Sequence, residues 1–183
     1  MQKKVLSEID LYTGEIKMPK GFEINQNQIK NDILQSYVKG KRINNNPKAY
    51  SFIDYIVPFS QPLQWMQDYV RDHWKVEYGY TLVPKNIHGN VMDPKEKSWT
   101  RHQVDPIDLR NSPDYTLIYG VDVTKDSSEC IIEYDDNRRK NRTWHIPIKN
   151  NNFIMFPATQ RYSFSPNTSN NLNVILTINY EYI

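Results

Sequence analysis

Side chains able to do chemistry are sparse in this sequence, and few of them stand together. The one thiol, Cys130, lies in the run Glu129-Cys130-Ile131-Ile132 with no His or Asp beside it, which reads as a core thiol rather than a nucleophile. A lone cysteine leaves no disulfide framework or Cys-based metal site within one chain, and it fits a reducing cytoplasm. His145 stands in Thr143-Trp144-His145-Ile146-Pro147, the setting of a hydrogen-bonded structural imidazole. The run Arg138-Arg139-Lys140-Asn141-Arg142 follows Glu133, Asp135 and Asp136, so it reads as a solvated hairpin tip that could also meet a phosphate or an acidic patch. The six glycines fall in no GxGxxG or GxxxxGK spacing, so nucleotide-dependent chemistry is not expected.

The elements that must position these residues change in texture along the chain. Residues 1–24 carry Gly14, Pro19 and Gly21 among mixed polar residues without a sustained period, which predicts an extended arm, loose or pinned to something. Ile29, Ile33, Leu34, Tyr37 and Val38 then recur at helical spacing, with Asn25 or Asn27 as N-cap and Gly40 just past the end. A basic, Asn-rich connector over 39–48 leads to a strand over 51–59. Pro62 opens a second amphipathic helix carrying Leu63, Met66, Tyr69, Val70, His73 and Trp74, to about Val76. From residue 80 onward, eight short runs rich in β-branched and aromatic residues alternate with turn residues. Lys125-Asp126-Ser127-Ser128 and Asp135-Asp136-Asn137 have hairpin chemistry, and in the last strand Leu172, Val174, Leu176, Ile178 and Tyr180 alternate with a mixed face.

These signals predict a mostly β chain with N-terminal helices: an arm over 1–24 and a single domain over 25–183. In that domain, helices at about 27–38 and 62–76 pack on a jelly roll of two antiparallel sheets over about 80–183. Aromatics at 13% of the 183 residues offset a modest 38% hydrophobic content and a mean hydropathy of −0.74, so the core is expected to be aromatic-rich. A net charge of +2 is far from the concentrated basic face of a nucleic-acid binder. Ser7, Glu8 and Asp10 interrupt any signal-peptide core, and no apolar run suits a membrane span, so a soluble protein is expected with neither nucleic acid nor membrane as partner.

One layout in the C-terminal half is specific. A polar loop with His102 and Asp105 is followed by Tyr115-Thr116-Leu117-Ile118-Tyr119, a hairpin to Glu129-Cys130-Ile131-Ile132-Glu133-Tyr134, then Phe153-Ile154-Met155-Phe156-Pro157 and Ser165-Pro166-Asn167-Thr168-Ser169. Over about half the chain this resembles the small 2-oxoglutarate/Fe(II)-dependent oxygenases of tailed phages, especially those of marine cyanobacteria. The resemblance implies a double-stranded β-helix (jelly roll, cupin-like), Fe(II) and 2-oxoglutarate as cofactors if the protein is active, and an unknown substrate. It also implies a phage protein of the host cytoplasm or the virion, with phage subunits as the alternative partners.

The family's chemistry rests on two His and one carboxylate that leave positions open on the iron. Carried over by position, the resemblance makes His102 and Asp105 metal ligands, with Tyr162 or His145 as the third and Asp108 supporting His102. It makes Arg161 the anchor of the 2-oxoglutarate carboxylate, with Tyr119 as a second cofactor-binding residue; read by residue type, Trp99, Tyr119, Tyr162 and Trp144 either line the barrel mouth or fill the interior. Three departures from the family stand out. His102-Gln103-Val104-Asp105 has one residue more than the usual His-x-Asp, and Gln160-Arg161-Tyr162-Ser163 has no His where the second is expected; Asn173 also stands where the last strand would carry a basic residue. The alternative function is therefore a non-catalytic descendant of the same jelly roll, a binding or virion-assembly module whose arm reaches a neighbouring subunit.

Overall fold

The computed structural model describes residues 9–43, 54–137 and 140–183. Among them run β1 (Tyr12–Glu15), α1 (Gln26–Ile43), β2 (Tyr55–Ile56), α2 (Gln61–Tyr78), β3 (Leu82–Met92), β4 (Tyr115–Asp122), β5 (Glu129–Asn137), β6 (Lys140–Pro147), β7 (Asn152–Pro157), β8 (Arg161–Phe164) and β9 (Asn173–Tyr182). All the strand pairs are antiparallel. Six strands form a large sheet in the order β1-β7-β4-β9-β3-β2, and three form a small sheet in the order β6-β5-β8. An isolated bridge from Arg101 to Tyr162 extends the small sheet by one position.

The large sheet is covered on both faces, and its strands show why. On β9, Val174, Leu176, Ile178 and Tyr180 point to the helices, where they join Ile33, Leu63, Met66, Val70 and Trp74. Ile175 points the other way, into a second cluster with Ile118, Ile154, Phe156, Cys130, Ile132, Tyr162 and Phe164 between the two sheets. Period-two alternation thus feeds two cores from one strand. The single cysteine is in the second of these, and burial raises its thiol pKa far above the ordinary value.

Both helices sit where the apolar spacing put them. Asn25, rather than Asn27, accepts the cap hydrogen bond from the Gln28 amide, at 3.2 Å. Gly40 does not end α1: the helix continues to Ile43, and the glycine leaves room for the Tyr55 ring, which a Cβ there would meet at 3.3 Å. Gly79 does end α2, in the left-handed region at φ 82°, with its amide donating to the Lys75 carbonyl. The described part of the arm is pinned in cis, since β1 pairs with β7 and Tyr12 packs edge-on against Trp74.

Two expectations need correction here. The turn after β4 is not a hairpin but a crossing from the large sheet to the small one. It is locked from β9, where the Asn173 amide donates to the Ser127 and Ser128 hydroxyls and accepts from the Thr124 amide. The strand expected over 51–59 is reduced to β2, with 51–53 outside the described residues, as are 44–48 of the connector and 138–139 of the basic run. No helix among the described residues is long and apolar enough to cross a membrane.

Candidate functional site

Alternation also decides which side chains meet between the sheets at the end away from the apolar cluster. Arg101 and Gln103 turn inward on either side of His102. Gln103 donates to the Tyr162 hydroxyl at 2.9 Å and accepts from the Asn179 amide at 2.9 Å. Asn179 also bonds Asn86 and Thr116, tying β3, β4 and β9 to the segment at Gln103. Beside this network, Thr177 donates to Asn90, whose amide reaches the Asp54 carboxylate at 2.9 Å. Arg101 also bonds that carboxylate, and His88 lies 3.5 Å from it. The barrel opening is therefore lined by amides and hydroxyls that satisfy one another, plus a half-buried guanidinium that faces a carboxylate and the imidazole of His88.

The residues expected to build the site from the sequence are dispersed. Tyr162 does face the interior and is fully buried, and burial holds its phenol well above the ordinary value even though Arg101 and Gln103 oppose that shift. His102 is exposed between two inward residues, so its imidazole faces away from Tyr162. Asp105 is exposed and caps its own loop by accepting from the Ile107 amide at 2.9 Å. Asp108 does not support His102; it caps the short turn Leu109–Asn111.

The cofactor residues fare the same way. Arg161 is exposed on the outer face of the small sheet, in register with Glu133. Tyr119 is buried on the opposite face of the large sheet, among the helices, where its hydroxyl donates to Asn151 at 3.0 Å. His145 is on the outside of β6, bonded to Glu129 at 2.9 Å. Trp99 and Trp144 are both largely exposed. For Arg161 the cause is strand alternation, since a one-residue offset along a strand moves a side chain from one face to the other, whereas Asp105 and Asp108 lie in a loop whose own turns they cap.

These residues do not fit a resident Fe(II). Among the described residues no three His, Cys, Asp or Glu side chains lie close enough together to hold a metal. What converges at the opening is a guanidinium, which cannot ligate, neutral amides, a phenol kept protonated by burial, and two potential ligands, His88 and an Asp54 carboxylate already bonded by Arg101 and Asn90, one short of the three that a facial site needs. The residues that do converge there, Asp54, His88, Asn90, Arg101, Gln103, Thr177 and Asn179, were missed because polar side chains at alternate strand positions read as a solvated face.

No protein-family model matches the chain, and no curated protein is similar to it in sequence. Its fold has solved counterparts. AviO1 from Streptomyces viridochromogenes Tue57 is 9% identical, with a TM-score of 0.60 over 93% of this chain and 89% of that one. The viral collagen prolyl hydroxylase of Paramecium Bursaria Chlorella virus-1, solved as its 2-oxoglutarate complex, is 11% identical, with a TM-score of 0.58 over 93% and 94%. EvdMO1 is 11% identical, with a TM-score of 0.61 over 95% of this chain, and the chain spans 47% of its length. It spans 56% of the length of SnoN, a non-heme alpha ketoglutarate dependent epimerase from nogalamycin biosynthesis, and 52% of that of a 2OG-Fe(II) oxygenase family oxidoreductase from Burkholderia pseudomallei. The chain has the double-stranded β-helix fold of the 2-oxoglutarate/Fe(II) oxygenases.

Proposed function

We propose that this chain is a non-catalytic binding or assembly module built on the oxygenase fold. The observation that carries the reading is the hydrogen-bonded closure of the barrel opening: Gln103, Tyr162 and Asn179 hold one another where the resemblance calls for metal ligands. Asp54 and His88 are the carboxylate and imidazole at the opening, and Asp54 is taken by Arg101 and Asn90, so the facial set of three donors that iron-dependent hydroxylation needs is not assembled among the described residues. Fold likeness by itself does not transfer chemistry. The phage affiliation belongs to the same reading. Such a module acts in the virion or the cytoplasm of an infected host, with other phage subunits as its partners.

The test is anaerobic purification followed by titration with Fe(II) and 2-oxoglutarate. The expected outcome is neither stoichiometric iron nor succinate at millimolar co-substrate. Stoichiometric Fe(II) with succinate release, both lost in His102→Ala, would establish the oxygenase instead.

A further inference from the structure

Three donors at the barrel opening converge on one oxygen, and that oxygen belongs to the chain itself. Asp54 Oδ1 receives the Asn90 amide at 2.9 Å and the Arg101 guanidinium, and it lies 3.5 Å from His88 Nε2. The donor half of this arrangement is built into the fold. Arg101 and His88 side chains are 13% and 11% exposed, and Asn90 is oriented by the hydrogen bond its own oxygen accepts from Thr177. The acceptor half is not: the Asp54 side chain is 46% exposed, and it precedes the two-residue edge strand β2. His88 Nε2 is buried with no hydrogen-bond partner, so Asp54 leaves one of the three donors unsatisfied.

We propose that Arg101, Asn90 and His88 form a metal-independent binding site for a small carboxylate anion, occupied in the free chain by Asp54 acting as a tethered substitute. A free carboxylate carries two oxygens on an unconstrained group. One takes Arg101 and Asn90 while the other reaches His88, which Asp54 does not do at its present position. The tether gives Asp54 a high effective concentration, so it competes with any free anion and holds the affinity of the unmodified chain down. This inference rests on the binding-module reading, because it needs the opening to bind an anion without iron.

The experiment uses the full chain in EDTA at constant ionic strength, titrated with acetate, succinate or 2-oxoglutarate and with chloride as control. It compares wild type, Asp54→Ala, Asp54→Asn and the double variant Asp54→Ala/Arg101→Met. Melting temperature and the NMR resonances of the Asn90 side-chain amide and the His88 ring are the readouts. Saturable binding, about tenfold or more tighter in the Asp54 variants than in wild type and lost in the double variant, is expected. Asp54→Asn keeps the shape of the side chain if Asp54→Ala does not fold, and the wild-type resonances are read in either case. Absence of carboxylate-specific shifts in wild type and in every folded variant overturns the carboxylate site and leaves the module reading standing. Binding of 2-oxoglutarate only when Fe(II) replaces EDTA overturns both.

Discussion

Burial holds the His88 imidazole below its ordinary value of 6.5; Arg101 pushes the same way and Asp54 opposes them. The ring is therefore neutral in the native chain near neutral pH. An unfolded chain takes up a proton at the ordinary value, the folded one only at lower pH, so between the two the unfolded state binds more protons. Stability from this residue is complete above about pH 6.5 and falls as pH drops below it, levelling off beneath the folded value. His88→Gln removes that dependence. Melting curves taken from about pH 7 down to about pH 5 should decline less steeply in the variant, and an unchanged slope would show that His88 is not the group involved. His88 was legible in the sequence only as one polar residue in a strand, because nothing local to residues 86–90 shows that Asp54 and Arg101 come to meet it.

At the scale of elements, α1 is seated on β3 through a missing side chain. A Cβ on Gly89 would stand 2.5 Å from Ile33 Cγ2, so helix and sheet approach more closely there than any other residue allows. Gly89→Ala should cost about 1–3 kcal/mol by overpacking, measured by urea denaturation. Ile33→Ala, which removes the clashing carbons, should cost less in the Gly89→Ala background than alone, and strict additivity would refute direct contact. Both helices were readable from apolar spacing because that spacing is a property of contiguous residues. The continuation of α1 through Gly40 was not, because the ring that occupies the space beside the glycine belongs to Tyr55, fifteen positions away. The crossing after β4 was misread for a related reason: turn chemistry at 125–128 is the same whether the chain returns to its own sheet or passes to the other.

Across the whole molecule, the arm closes an edge. β1 pairs with β7, and Tyr12 packs edge-on against Trp74 and Tyr78, ring centres 4.6 and 5.5 Å away. Removing residues 1–16 should lower the melting temperature and promote self-association by opening the β7 edge, visible as a concentration-dependent shift in size-exclusion chromatography. A monomeric truncated chain with unchanged melting would show that the arm contributes nothing to either. The sequence by itself determined the mostly β, antiparallel character of the chain, its two helices, the buried thiol and the apolar face of β9, since each follows from periodicity and turn residues within a short window. Only the tertiary structure decided the site. Whether His102 or its neighbours face inward depends on a one-residue register, and that register is set by Arg101 pairing with Tyr162, sixty-one positions apart. The same pairing turns His102 and Arg161 out to solvent and brings Arg101, Gln103 and Tyr162 together inside. Distant segments had to pack before the polar residues of β3 and β9 could be told apart from a solvated face, because exposure is a property of what covers a strand and not of the strand.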